Sequence, residues 1–227
     1  MSAARTAILN DIARGLGRAP LDPAAQAAVT RRIDSRTRNT VPLRGQLPAA
    51  EQRDLFVSQA QAMGATVNRI GSTETIPDAI ADYLAGHNLP TELILSPDPD
   101  LTGLPWQRRP LLSIKHGAPW PTDMVGVALA VAGVAETGTL VLHSGAHAST
   151  SLNFTPDTHI VVVHGSQVVG AYEDAFDMLR AKVGPSWPRT VNLITGPSRT
   201  ADIEQTLIMG AHGPRRLHVI LVENQTA

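Results

Sequence analysis

From Ala65 onward, short apolar runs take turns with amphipathic stretches, and that alternation limits the fold more than any other feature of the chain. "ATVNRI" is followed by the helical pattern "IPDAIADYLAGHN" and then by the strand "ELILS". "LLSIKHG", "HIVVVHG", "QVVG", "TVNLI" and "LHVILVE" continue as strands. The helix "AYEDAFDMLRAKVG" lies among them, with Tyr172, Phe176, Leu179 and Val183 on one side. Strands joined through helices pair in parallel, and a parallel sheet needs cover on both faces. The expected class is therefore α/β, a mostly parallel sheet with helices on both faces. The close-set runs of "VGVALAVAGVAETGTLVLHS", broken at Glu136-Thr137-Gly138, predict some antiparallel strands in the middle of the chain. One more helix is expected over Arg199–Met209.

Residues 1–64 read as a helical extension ahead of an α/β domain at 65–227. Ile8, Ile12 and Leu16 recur every fourth position, with Ser2 as a cap and Gly15 and Gly17 as stops. A second helix from Pro23 to about Arg36 has a face made mostly of alanine with Val29 and Ile33, which buries little area. This face could meet a partner or a second copy of the chain. A third helix follows Pro48, carries Leu55, Phe56, Gln59 and Met63 on or near one face, and ends at Gly64.

Charge and cysteine content narrow the function classes. A formal net charge of −1 and an aromatic fraction of 4% argue against nucleic acid as a partner. No run approaches the roughly 20 apolar residues of a membrane span, and the first residues are too polar for a signal peptide, so a cytoplasmic protein is expected. The chain has no cysteine, so it holds no disulfide, thiolate zinc site or cysteine-ligated iron–sulfur cluster of its own. Any such cluster would belong to a partner.

Two stretches could carry chemistry. In "TGPSRTADIE", Gly196-Pro197 ends the strand, and Ser198 or Thr200 can cap the expected helix, with Asp202 and Glu204 in its first turn. Capping does not account for Arg199. Helix N-termini beyond the carboxyl ends of strands hold anions, and an arginine there adds a clamp for a carboxylate or phosphate. In "GVAETGTLVL", Glu136 could act as a base or nucleophile, or could fix the turn through backbone hydrogen bonds. Thr137, Gly138 and Thr139 open the next strand. Among the histidines, His143 and His147 lie in a Gly- and Ser-containing loop, and His212 follows the last expected helix. His212 could cap that helix or face a site with Arg199.

Taken in order, "AETGTLVL", "PDTHIVVV", "GPSRTADIE" and "GAHGPRRLHVILVE" give the chain a resemblance to the LutC/YkgG family of lactate utilization proteins, which carry an LUD domain. The resemblance implies a fold similar to the NagB/ribose-phosphate isomerase/CoA-transferase group. It also implies a part in oxidising L-lactate to pyruvate beside partner proteins that hold iron–sulfur clusters. It marks Glu136, Thr137, Gly138, Thr139, Gly196, Pro197, Ser198, Arg199, Thr200, Asp202 and Glu204 as site candidates, with His212 and Gly213 beside them. A small anionic ligand fits these residues. The fold group alone also admits a stand-alone enzyme or binding protein for a phosphorylated metabolite, a CoA thioester or a folate-like ligand.

Overall fold

The computed structural model describes residues 2–19, 21–200, 208–210 and 212–223. Two compact units are present, Met1–Thr40 and Val41–Ala227. The first contains α1 (Ala3–Gly15), capped by the Ser2 hydroxyl, and α2 (Pro23–Ser35), capped by Asp22. Neither helix has a buried residue.

The second unit runs α3 (Ala49–Ala62), β1 (Thr66–Ile70), α4 (Ile76–Gly86), β2 (Glu92–Leu95), the short α5 (Pro99–Thr102), β3 (Ser113–His116) and β4 (Val125–Leu129). It continues through β5 (Ala132–Val134), β6 (Thr139–His143), β7 (Thr158–His164), β8 (Val168–Val169), α6 (Tyr172–Val183), β9 (Val191–Ile194), β10 (Arg199–Thr200), β11 (Ile208–Met209) and β12 (Arg216–Val222). A six-stranded sheet in the order β1-β12-β7-β4-β2-β3 is parallel throughout. A four-stranded sheet, β8-β5-β6-β9, pairs β5–β6 and β6–β9 antiparallel and β5–β8 parallel.

Period-two burial explains how the layers stack. Along β7, Val161 and Val163 point into one core with Phe56, Ala60, Leu140 and Leu142, while Ile160 and Val162 point into another with Ile76, Ile80 and Leu84. Strand β12 repeats the pattern, with Val219 and Leu221 on one face and Ile220 and Val222 on the other. The large sheet is thus covered by α4 on one side and by α3 with the smaller sheet on the other. The far face of the smaller sheet carries α6, through Ala175 and Leu179 against Val134 and Val141.

Two expectations meet a different outcome. Helix α3, grouped by its pattern with the N-terminal extension, falls in the second unit, because Phe56 and Ala60 are fully enclosed in its core. The helix expected over Arg199–Met209 does not begin at Arg199. Arg199–Thr200 and Ile208–Met209 pair instead as antiparallel strands, in the register Arg199↔Met209. Long-range bonds decide the matter: the Ser198 N–H donates to the Pro214 carbonyl, at 2.8 Å, and the Ser198 carbonyl accepts from Gly210 N–H, at 2.9 Å. Residues 201–207, including Asp202 and Glu204, lie outside the described residues.

Candidate functional site

A cleft of about 270 Å³ opens where β9 ends and where β7 and β12 begin. Its floor and walls come from Asn153, Phe154, His159, Leu193–Ser198, His212–Pro214 and Leu217. Sequence-marked residues Gly196, Pro197, Ser198, His212 and Gly213 are therefore gathered in one place. The cleft sits at the amino-terminal edge of the large sheet, not the carboxyl edge that open α/β sheets commonly use. It is the carboxyl end of β9, in the small sheet, that brings "GPS" to it.

Gly196 holds the turn. Its φ is +76°, and a Cβ there would stand 2.3 Å from the Met63 carbonyl oxygen, so only glycine fits. Ser198 is half-buried on the wall and is fixed at both backbone groups, as described above. Arg199 points elsewhere: its Nη2 donates to the Met63 carbonyl at 2.8 Å, and its side chain is not among those lining the cleft. Because Arg199 and Thr200 are extended, the helix N-terminus invoked for anion binding is not formed by these two residues.

The "ETGT" residues form a separate cluster. Glu136 is buried, its Oε1 accepts from the first-turn N–H of Tyr172 at 3.4 Å, and Arg44 Nε lies 3.9 Å from Oε2. Its carboxylate thus sits at the N-terminus of α6, where negative charge is favoured. Gly138 has φ +68°, and a Cβ would come within 2.3 Å of the Ala60 amide nitrogen. The glycines of both motifs accordingly let the C-terminal end of α3 approach. A line of hydroxyls joins this cluster to the cleft: Thr137 meets the Tyr172 hydroxyl at 3.0 Å, and that hydroxyl meets Thr139 at 2.9 Å. Thr139 in turn meets Thr195 of the cleft lining at 2.6 Å.

Of the cleft residues that the sequence reading did not mark, one carries an imidazole. His159 is completely buried in β7, yet it lines the cleft, and neither of its ring nitrogens has a hydrogen-bond partner among the described residues. Its cross-strand neighbours explain why. Leu217 on β12 and Gly126 on β4 stand opposite, and neither side chain can pair with an imidazole. Burial pushes the ring's pKa down to about 4, so His159 is neutral near pH 7 and offers one N–H donor and one bare nitrogen. Unpaired buried polar groups cost about 1–3 kcal/mol each. The signal in the sequence was an imidazole at the head of the apolar run "IVVV".

A second, smaller cavity of about 140 Å³ lies at the carboxyl ends of β2 and β4, lined by Ser96, Asp98, His143, His147 and Lys182 among others. His143 Nδ1 donates to the Ser144 carbonyl at 3.0 Å. Among the described residues, no group of three or more His, Cys, Asp or Glu side chains is arranged to hold a metal ion. No described helix is long and apolar enough to cross a membrane.

Residues 122–222 match the LUD domain family. Over 103 residues the chain is 37% identical to lactate utilization protein C of Bacillus velezensis, covering 44% of this chain and 43% of that one. The corresponding protein of Bacillus subtilis is 38% identical over the same length, with the same coverage. The match thus spans less than half the length of these relatives. A crystal structure of a DUF162 family protein from Deinococcus radiodurans is similar in fold, with a TM-score of 0.59 at 24% identity, covering 78% of this chain and 99% of that one. The stretch 122–222, which carries the cleft's His159, Ser198 and His212, is thus the part of the chain that is similar to the LUD domain family.

Proposed function

We propose that the chain serves in L-lactate utilization by binding a small carboxylate in the cleft beside His159, with iron–sulfur partner proteins carrying the electrons of lactate oxidation. The observation that carries this reading is a fully buried, unpartnered imidazole lining a cavity that also presents Ser198 and His212. The names of the Bacillus relatives support the metabolic setting. Absence of cysteine agrees with clusters being held elsewhere.

The cleft's walls suit a small, partly apolar acid. Phe154, Leu193, Ile194 and Leu217 can cover a methyl group, while Ser198 and Thr195 offer hydroxyls. Positive charge is assigned to Arg199, next to Ser198 in the chain, whose side chain has to turn from the Met63 carbonyl toward the cleft when the acid binds. Its guanidinium has five N–H donors, and the Met63 carbonyl takes only one of them. The lining contains no lysine or arginine among the described residues, which weighs against a polyphosphate or CoA ligand.

Thermal unfolding against L-lactate, pyruvate, inorganic phosphate and CoA tests the reading. A ligand at a hundred times its dissociation constant stabilises the fold by about 2.7 kcal/mol. L-Lactate or pyruvate is expected to raise the midpoint, and Ser198→Ala and Arg199→Ala to reduce that rise. No shift with either acid would overturn the proposal; a rise unaffected by Arg199→Ala would remove the role given to that residue alone.

A further inference from the structure

We infer that the crevice between the carboxyl ends of β2 and β4 is a second ligand site, one that holds a phosphate group, either free or carried by a small monoester. The site stands apart from the carboxylate reading of the larger cleft. Topology marks the place. Strands β2 and β4 are parallel neighbours in the large sheet, yet the chain leaves β2 toward β3 on one side and leaves β4 toward β7 on the other. The two departures also take opposite faces. Leu101 and Trp106, after β2, pack into the core that α4 covers, whereas Ala130, Ala135 and Leu140, after β4, pack into the core shared with α3. Connections that part in this way open a crevice beyond the carboxyl ends of the strands, and open α/β sheets bind ligands there.

The cavity of about 140 Å³ sits in this crevice. Ser96 joins its two sides: its N–H donates to the Val127 carbonyl at 2.9 Å, and its hydroxyl donates to the His147 carbonyl at 2.5 Å. The second bond draws the loop after β6 over the strand ends. That loop is closed on itself by Gly145 and Ala148, whose N–H groups donate to each other's carbonyls at 3.0 and 3.2 Å. Charge then sets the chemistry. Lys182, in the last turn of α6, lines the cavity and forms no ion pair among the described residues. Asp98, the carboxylate of the lining, is engaged with α5, its Oδ1 accepting from the Asp100 N–H at 3.0 Å. His143 spends its Nδ1–H on the Ser144 carbonyl, which leaves Nε2 for a ligand; that nitrogen donates when the ring is charged. His147 adds a second imidazole. An ammonium beside two imidazoles matches a phosphate group, which lysine binds as a point charge and which has three terminal oxygens to share. Leu129, Leu142 and Leu152 line the rest and suit the short carbon chain of a monoester.

The experiment is amide NMR of the isotope-labelled full chain, titrated separately with inorganic phosphate and with glycerol 3-phosphate. Saturable shifts are expected at Ser96, His143, Gly145 and Ala148. Tighter binding of glycerol 3-phosphate identifies an esterified phosphate as the ligand, and equal or weaker binding a free one. Lys182 is exposed, so Lys182→Gln should fold as the unaltered chain does. It removes a charge-assisted hydrogen bond and is expected to weaken binding of the preferred probe by at least about tenfold. His147→Gln should weaken it by less. L-Lactate binding in the larger cleft should be the same in both variants, so the two sites are judged separately. No saturable shift with either probe, shifts confined to the cleft beside Ser198, or unaltered affinity in Lys182→Gln would overturn the inference.

Discussion

His159 and His218 are folded into the sheet uncharged, and a pH dependence of stability follows from that. Burial lowers each ring from 6.5 to about 4. Between those values the unfolded chain binds more protons than the folded one, so acid favours unfolding. The stabilisation is complete above pH 6.5 and is lost progressively as pH falls toward 4. Linkage puts the loss near about 2 kcal/mol per histidine at about pH 5. Urea unfolding at neutral pH and at this lower pH should show it, and His218→Gln should remove part of the difference. Equal stability at the two values would contradict the burial of these rings. At this scale the sequence was only partly legible. Ser198, Gly196 and His212 could be marked from motifs, whereas His159 looked like any residue of an apolar strand. Its isolation depends on Gly126 and Leu217, which the sheet register brings alongside from distant parts of the chain.

Among the elements, α3 is the one that ties the motifs together. Its C-terminal end lies against the Gly138 turn and against the Gly196 turn, and both positions reject a Cβ. Gly138→Ala would force a left-handed backbone on alanine and drive its methyl into the Ala60 backbone. The expected cost is about 3 kcal/mol or more, read as a lower urea midpoint with an unchanged slope. A loss below about 0.5 kcal/mol, the range of an ordinary surface change, would contradict this packing. The strands were legible because β7 and β12 alternate between two cores with period two, and helices α4 and α6 because their apolar residues keep one side. The segment after Ser198 was not. Its hydroxyls and acids satisfy every local rule for a helix start, but the Ser198 backbone is bound to Pro214 and Gly210, and no local rule sees those partners.

For the whole molecule, the parallel sheet was readable from alternation alone, while the division of the chain was not. Leu55, Phe56, Gln59 and Met63 gave α3 the look of a third helix in the N-terminal helical extension. Tertiary burial of Phe56 and Ala60 assigns it to the α/β unit, and Met1–Thr40, in which neither helix has a buried residue, is a unit of its own. The arrangement leaves one cleft that combines motif residues with an unpartnered buried imidazole, and the account depends on that cleft being where the ligand binds. The most direct measurement is amide NMR of the isotope-labelled chain titrated with L-lactate. The account predicts saturable shifts concentrated on Phe154, His159, Ser198, His212 and Gly213. Shifts concentrated on Ser96, His143 and Lys182 at the second cavity, or none anywhere at saturating lactate, would contradict it.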